Sequence, residues 1–217
     1  MTIRIALLAS GRGSNVEAIV DAIRKRQLDA DPVCIVTNNP EAGVIQIAKR
    51  FSIPCHVVSH HGLTREQHED ALIETLTPYD PDYIVLAGYM RLFTKQFIYA
   101  FNLPGAYRIV NIHPSLLPAF SGAHGYRDAF NHGVHIAGVT IHFVDEGMDT
   151  GPIISQATFR REPEDTFETF QARGLKLEHQ LYPEILQDLA HGRVGLKLDT
   201  ETDRVMAFRF QENGALL

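Results

Sequence analysis

The sequence predicts an α/β fold: a mostly parallel twisted sheet with helices on both faces, ending in an antiparallel hairpin on the sheet's edge. Three observations predict it. Near-continuous apolar runs alternate with segments of helical period through the first half of the chain, the pattern of strands covered on both faces by crossover helices. The last 25 residues carry two strand-like runs around Asp199-Thr200-Glu201-Thr202-Asp203, a turn-forming stretch. With hydrophobic residues at 45% and charged residues at 21%, disorder and fibrous repeats are excluded.

Each element follows from its pattern. Ile3–Ala9 is a continuous apolar strand. Over Asn15–Leu28, Val16, Ile19, Val20 and Ile23 recur at helical spacing. Val33–Val36 is a second strand, Gly43–Phe51 a helix, His56–Val58 a short strand, Arg65–Leu76 a helix and Tyr83–Ala87 a buried strand. Strands follow at Arg108–Ile112, Val139–Val144 and Pro152–Ala157. A long helix over about Glu164–Leu189 places Phe167, Phe170, Leu177, Leu181 and Ile185 on one side. Arg193–Leu198 and Arg204–Phe210 form the hairpin. The arrangement is Rossmann-like, one domain over 1–217 with halves at 1–103 and 104–217. Right-handed crossovers bring successive strand carboxyl ends to one edge of such a sheet, where ligands bind.

Charge and cysteines narrow the class. Lys+Arg 20 against Asp+Glu 26 gives a net charge of -6, which argues against nucleic acid or an anionic membrane as partner while leaving room for a local phosphate site. The apolar runs are strand-sized, so no membrane span is expected, and Ile5–Ala9 is too short for a signal-peptide core. Cys34 and Cys55 lack CxxC spacing, which fits a reducing cytoplasm and no disulfide.

Ser10-Gly11-Arg12-Gly13-Ser14-Asn15 joins the first strand to the first helix. Its glycines permit a tight turn, and backbone amides at a helix N-terminus attract an anion, here a monophosphate. An empty tight turn is the alternative. The dinucleotide pattern fails because Val16 stands where its third glycine belongs and Thr37-Asn38-Asn39 supplies no ribose carboxylate. No Walker Lys-Ser/Thr follows either.

Asn111 and His113, two apart, share a face at the end of an extended segment. Asp145-Glu146-Gly147-Met148-Asp149-Thr150-Gly151 is an acidic loop after another strand. A carboxylate near a histidine favours the charged ring, and an amide with an imidazolium can stabilise a developing oxyanion. No GxSxG elbow or cysteine nucleophile is at hand, so direct attack on a carbonyl by an amine or water fits better than an acyl-enzyme. Taken singly, each of these residues also has a plain structural reading, and His142 is open between buried hydrogen bonding and support of the trio. His56/His60/His61 and His132/His135 are only loosely ligand-spaced, and no metal is expected.

Together these segments resemble the phosphoribosylglycinamide formyltransferase family, the folate-dependent enzymes of purine synthesis. The resemblance runs through Ala6–Asn15 (ALLASGRGSN), Val85–Phe93 (VLAGYMRLF), Val110–Gly122 (VNIHPSLLPAFSG), Val139–Ile154 (VTIHFVDEGMDTGPII) and Leu177–Pro183 (LEHQLYP). It implies the formyltransferase fold, with a phosphate-binding N-terminal half and a catalytic, folate-binding C-terminal half. It also implies 10-formyltetrahydrofolate as co-substrate and glycinamide ribonucleotide as acceptor, in the cytoplasm, as a monomer or homodimer. Asn111 and protonated His113 would bind the formyl oxygen as it becomes anionic, and Asp149 would support His113 and assist proton transfer. Gly13, Ser14 and Asn15 would cradle the ribose phosphate, and Glu178 would contact the ribonucleotide. Arg65, Met90, Arg91, Leu92, Phe93, Asn111, Val144, Asp145 and Asp149 would meet the folate, with Arg65 near its glutamate tail.

Two features depart from the family pattern. Ala119-Phe120-Ser121-Gly122 stands where a basic residue, an aromatic and Pro-Gly are usual, near the site entrance. Gly174 interrupts the long helix. Formyltetrahydrofolate deformylase is the nearest rival, but its N-terminal regulatory domain has no room before Ile3 and water needs no phosphate turn. Methionyl-tRNA formyltransferase requires a further C-terminal domain and basic surface. A non-catalytic folate or phosphate sensor would be expected to lose a trio member.

Overall fold

The computed structural model describes residues 2–103, 105–211 and 213–217. The chain packs as two units, Met1–Asn111 and Ile112–Leu217. The halfway point expected at 103/104 touches Pro104, which lies outside the described residues. The elements run β1 (Ile3–Leu8), α1 (Ser14–Arg24), β2 (Ala30–Thr37), α2 (Val44–Phe51), β3 (Cys55–Val57), α3 (Arg65–Leu76), a 3₁₀ turn (Thr77–Tyr79), β4 (Tyr83–Leu86), α4 (Lys95–Phe101) and β5 (Ile109–His113). They continue with α5 (Gly125–Asn131), β6 (Ile136–Phe143), β7 (Ile153–Arg160), α6 (Phe167–Ala190), β8 (Val194–Asp199) and β9 (Arg204–Arg209). Strand order is β3-β2-β1-β4-β5-β6-β7, with β8-β9 a separate pair.

In the first unit every strand pairing is parallel, β1 with β2 and β4, β2 with β3, β4 with β5. Leu7, Leu8, Ile35, Val85 and Ile109 are buried, as strands covered on both faces require. Strand β2 starts three residues before the apolar run because Ala30-Asp31-Pro32 also pairs. Pro32 is accommodated where the register slips, Ile5 facing Pro32 and Ala6 facing Cys34, so Val33 is the extra residue of a bulge. Helix α1 stops at Arg24, and Arg26 takes a left-handed conformation at φ 57°. Leu28 is buried beyond the helix rather than within it. Helix α3 matches its expected span because Thr64 and Gln67 form a complete capping box at its start.

In the second unit β6 and β7 are antiparallel, in register from Ile136/Arg160 to His142/Ile153 with one slip after Ile141. Helix α6 begins three residues later than its apolar pattern suggests, because Thr166 caps it by accepting from the Thr169 amide at 3.3 Å. Arg173 pairs with Asp165 at 2.7 Å just before that cap. This guanidinium holds the Asp165 carboxyl well below the usual carboxylate range. The hairpin forms as its own two-stranded sheet. Arg209 on β9 donates to Ser155 of β7 at 3.3 Å and pairs with Asp188 and Glu184 of α6 at 2.6 Å each, which sets it beside β7. Among the described residues no helix is long and apolar enough to cross a membrane.

Candidate active site

At the carboxyl end of β1 the turn is built from three sides of the first unit. Ala9 donates to the Val36 carbonyl, Ser10 to that of Gly88, and Ser10 Oγ accepts from the Met90 amide at 2.9 Å. Val44 donates to the Gly11 carbonyl at 3.2 Å, which ties the turn to the start of α2. Gly13 has φ 81°, and a Cβ there would lie 2.8 Å from Val44 Cβ and Cγ2. Glycine is therefore required both by conformation and by space. No side chain caps α1, so its first-turn amides and dipole are directed at the bend formed by Gly13, Ser14 and the buried Asn15. Glu17 in that first turn forms an ion pair with Arg50, which offsets its repulsion of an anion.

Gly88, at φ 80°, starts the loop after β4. Tyr89 is buried, Phe93 is half-buried between Tyr89 and Phe97 with ring centroids 5.7 and 4.0 Å away, and Arg91 is half-buried. Phe93 thus props the loop, while Met90 and Leu92 are 59% and 53% exposed. Arg65 is exposed in the first turn of α3. Asn111, half-buried, ends the first unit in register with Leu86 of β4.

The second unit brings His113, Asp149 and His142 together. His113 is buried at the end of β5, and its Nε2 donates to the Phe120 carbonyl at 2.8 Å. Its Nδ1 faces Asp149 Oδ2 at 3.5 Å. Both ring nitrogens thus face acceptors. Asp149 is held at φ 57°, and its Oδ2 accepts from the Gly122 amide at 2.8 Å. His142 Nδ1 donates to the Phe143 carbonyl at 2.8 Å, and its Nε2 lies 3.8 Å from Asp149 Oδ1. Burial pulls the His142 pKa down despite Asp149, which favours the neutral ring at this position. Val144 and Asp145 are half-buried, and Asp145 Oδ1 accepts from Gly147 and Thr150, closing its own loop.

The Ala119–Gly122 departure is where backbone partners of His113 and Asp149 lie. Ser115 Oγ donates to the Ala119 carbonyl at 2.5 Å, and the Phe120 ring rests on His132 with centroids 5.2 Å apart. The segment thereby presents one carbonyl to His113 and one amide to Asp149. Glu178 is buried in α6 and accepts from the Tyr126 hydroxyl at 2.5 Å. The sequence names Ser10, Phe120 and Gly122 only as members of their loops and gives no signal for Tyr126, because the first three contribute a hydroxyl, a carbonyl and an amide that no side-chain pattern marks.

The loosely spaced histidines have other partners: His56 meets the Tyr79 hydroxyl, His60 the Asn38 amide, and His132 the Asp128 carbonyl. Among the described residues no group of three or more His, Cys, Asp or Glu could hold a metal ion. Burial pushes the Cys34 thiol up to about 12 and raises that of Cys55, so neither is primed as a nucleophile.

In the first unit the uncapped start of α1 has the chemistry to receive an anion, and in the second unit the buried His113–Asp149 pair has the chemistry to meet a polarised carbonyl, each the kind of feature an enzyme uses. A family model described as formyl transferase matches residues 3–186, and the chain belongs to that family. It is 43% identical over 187 residues to a Bacillus subtilis protein named phosphoribosylglycinamide formyltransferase, covering 86% of this chain and 94% of that one. The crystal structure of glycinamide ribonucleotide transformylase 1 from Symbiobacterium toebii superposes with a TM-score of 0.85 at 39% identity, covering 94% and 93% of the two chains. A formyltetrahydrofolate deformylase from Pseudomonas syringae is similar at TM-score 0.83 and 25% identity, and the match spans 65% of that chain.

Proposed function

We propose that this chain is a phosphoribosylglycinamide formyltransferase that passes the formyl group of 10-formyltetrahydrofolate to the amine of glycinamide ribonucleotide. The observation that carries the chemistry is the His113–Asp149 pair, with Nε2 committed to the Phe120 carbonyl and Nδ1 turned to the carboxylate. The contact of Nδ1 with the carboxylate is the longer one, at 3.5 Å, so Nδ1 shares its proton with the formyl oxygen when substrate is bound. The amine attacks the formyl carbon and the carbonyl oxygen becomes an oxyanion, stabilised by the Asn111 amide and the His113 Nδ1 proton. Asp149 takes the proton the amine sheds and returns it to N10 of the folate as the carbon–N10 bond breaks. Formylglycinamide ribonucleotide and tetrahydrofolate leave, with every proton accounted for.

The uncapped α1 turn at Gly13–Asn15 holds the ribonucleotide phosphate, and Glu178 accepts from one of its donors. Met90 and Leu92 supply exposed apolar contacts to the folate ring system, with Arg91, Phe93, Val144, Asp145 and Asp149 beside them and Arg65 at its acidic tail. One domain carries both tasks, residues 1–103 the phosphate site and 104–217 the formyl chemistry and folate. The enzyme works on small molecules in the cytoplasm, without a metal, nucleic acid or membrane partner, as a monomer or homodimer.

Tetrahydrofolate production measured with and without glycinamide ribonucleotide tests this reading. Product that depends on the amine is expected. Product formed equally without it would identify a hydrolase of the deformylase type. Asp149→Asn is expected to lower turnover about 100-fold with little change in ribonucleotide affinity, since the proton acceptor is lost and the Gly122 contact is retained. Steady-state kinetics with separate ribonucleotide titration check it, and a comparable loss of affinity would assign Asp149 to binding instead.

A further inference from the structure

Gly174 lies in the middle of α6, and the reason is packed against it. A Cβ at this position would come within 2.4–2.5 Å of Cε1, Cζ and the hydroxyl oxygen of Tyr126. The Tyr126 ring therefore sits in a notch that only glycine leaves open. The rings of Phe170 and Phe159 flank it, each with its centroid 6.4 Å away. Residues four apart on a helix lie one above the other on the same face. A ring seated at 174 consequently carries its hydroxyl to 178, where it donates to Glu178 Oε1 at 2.5 Å. Both partners are buried, Tyr126 at 5% and Glu178 at 4% exposure. Burial, and then the neighbouring carboxylate, push the phenol far above its ordinary range, so it keeps its proton and remains the donor.

We propose that Tyr126 is a positioning residue that sets affinity for the ribonucleotide: seated in the Gly174 notch, it fixes the Glu178 carboxylate in the orientation that accepts the ribonucleotide's hydroxyl or N–H donor. This rests on the reading of Glu178 as a ribonucleotide contact. A long, flexible carboxylate binds a small polar ligand weakly unless its rotamer is held before the ligand arrives, because ordering it then costs part of the binding energy. The phenol supplies that order here. A purely structural pair would affect the stability of the α5–α6 packing and treat both substrates alike.

Calorimetric titration of the full chain with glycinamide ribonucleotide, and separately with 10-formyltetrahydrofolate, distinguishes the two. Tyr126→Phe keeps the ring in the notch and removes only the hydroxyl. It is expected to weaken ribonucleotide binding about tenfold and leave folate binding unchanged. Gly174→Ala, which drives the ring out, is expected to produce the same selective loss; should it fail to fold, Tyr126→Phe decides alone. Unchanged ribonucleotide binding in Tyr126→Phe, or equal losses for both ligands, overturns the proposal. Glu178→Gln separates this from the reading beneath it. If Glu178→Gln weakens ribonucleotide binding and Tyr126→Phe does not, only the positioning role falls. If the wild type does not bind the ribonucleotide, or Glu178→Gln binds it as the wild type does, the Glu178 assignment falls and the positioning role with it.

Discussion

His113→Ala is expected to lower turnover by about three orders of magnitude and to change ribonucleotide affinity by no more than several-fold. The size of the effect follows from what the ring contributes. In the proposed mechanism the ring is an oxyanion donor, and loss of one such donor costs roughly 100- to 1,000-fold. On the proposed mechanism the interaction is made only once charge develops on the formyl oxygen, so ground-state affinity is expected to be spared. His113 also has a structural bond, Nε2 to the Phe120 carbonyl, and the alanine leaves that half-buried carbonyl without this partner. A stability loss of about 1–3 kcal/mol is therefore expected alongside the kinetic one. His113→Asn restores a donor without restoring turnover. Single-turnover rates and urea denaturation on the same preparations separate the two effects. A turnover loss no larger than the fraction unfolded would reduce His113 to a structural residue.

The sequence was most legible where one physical signal dominated. The apolar run at Ile3–Leu8 and the Thr64/Gln67 capping signature ahead of α3 translate directly into elements with nearly the expected bounds. Legibility dropped where two signals competed. Pro32 masks the first residues of β2 because a proline in a central strand argues against pairing, and only the bulge reconciles it. Helices α4 and α5 were not read at all. Each has seven residues, too few for a period to show, and neither has a side-chain cap bond. Thr94 stands at the cap position of α4, yet its hydroxyl goes to Glu69. The separation between side chain and backbone explains the site in the same way. His113 and Asp149 are visible as residue types at strand ends, whereas the carbonyl of Phe120 and the amide of Gly122 that orient them belong to groups every residue carries. His142 was recognised as undecided, and it has both properties, a buried backbone bond and a place 3.8 Å from the Asp149 carboxylate.

Gly13→Val is expected to raise the Michaelis constant for the ribonucleotide at least about tenfold, with a much smaller change for the folate, and to destabilise the first unit. Two independent penalties act. The left-handed φ of 81° costs a branched residue about 1–2 kcal/mol. The Cβ would also stand 2.8 Å from Val44 and 3.0 Å from Ile47 Cδ1, both buried on α2, and such overpacking costs about 1–3 kcal/mol. Relief can come from α2 backing away or from the turn flipping out of its left-handed form. Either movement disturbs the same amides, because Val44 N is bonded to the Gly11 carbonyl and the Gly13 carbonyl receives the Glu17 amide that opens α1. An anion held by backbone amides has no side chain to compensate for a misplaced donor, so affinity falls steeply with displacement. Met90 and Leu92, the proposed folate contacts, stand on the loop after β4, which meets the turn through Ser10 rather than Gly13. Michaelis constants for both substrates, measured below the temperature at which the variant begins to unfold, decide the matter. If the folate constant rises and the ribonucleotide constant does not, the turn binds a different ligand from the phosphate assigned to it.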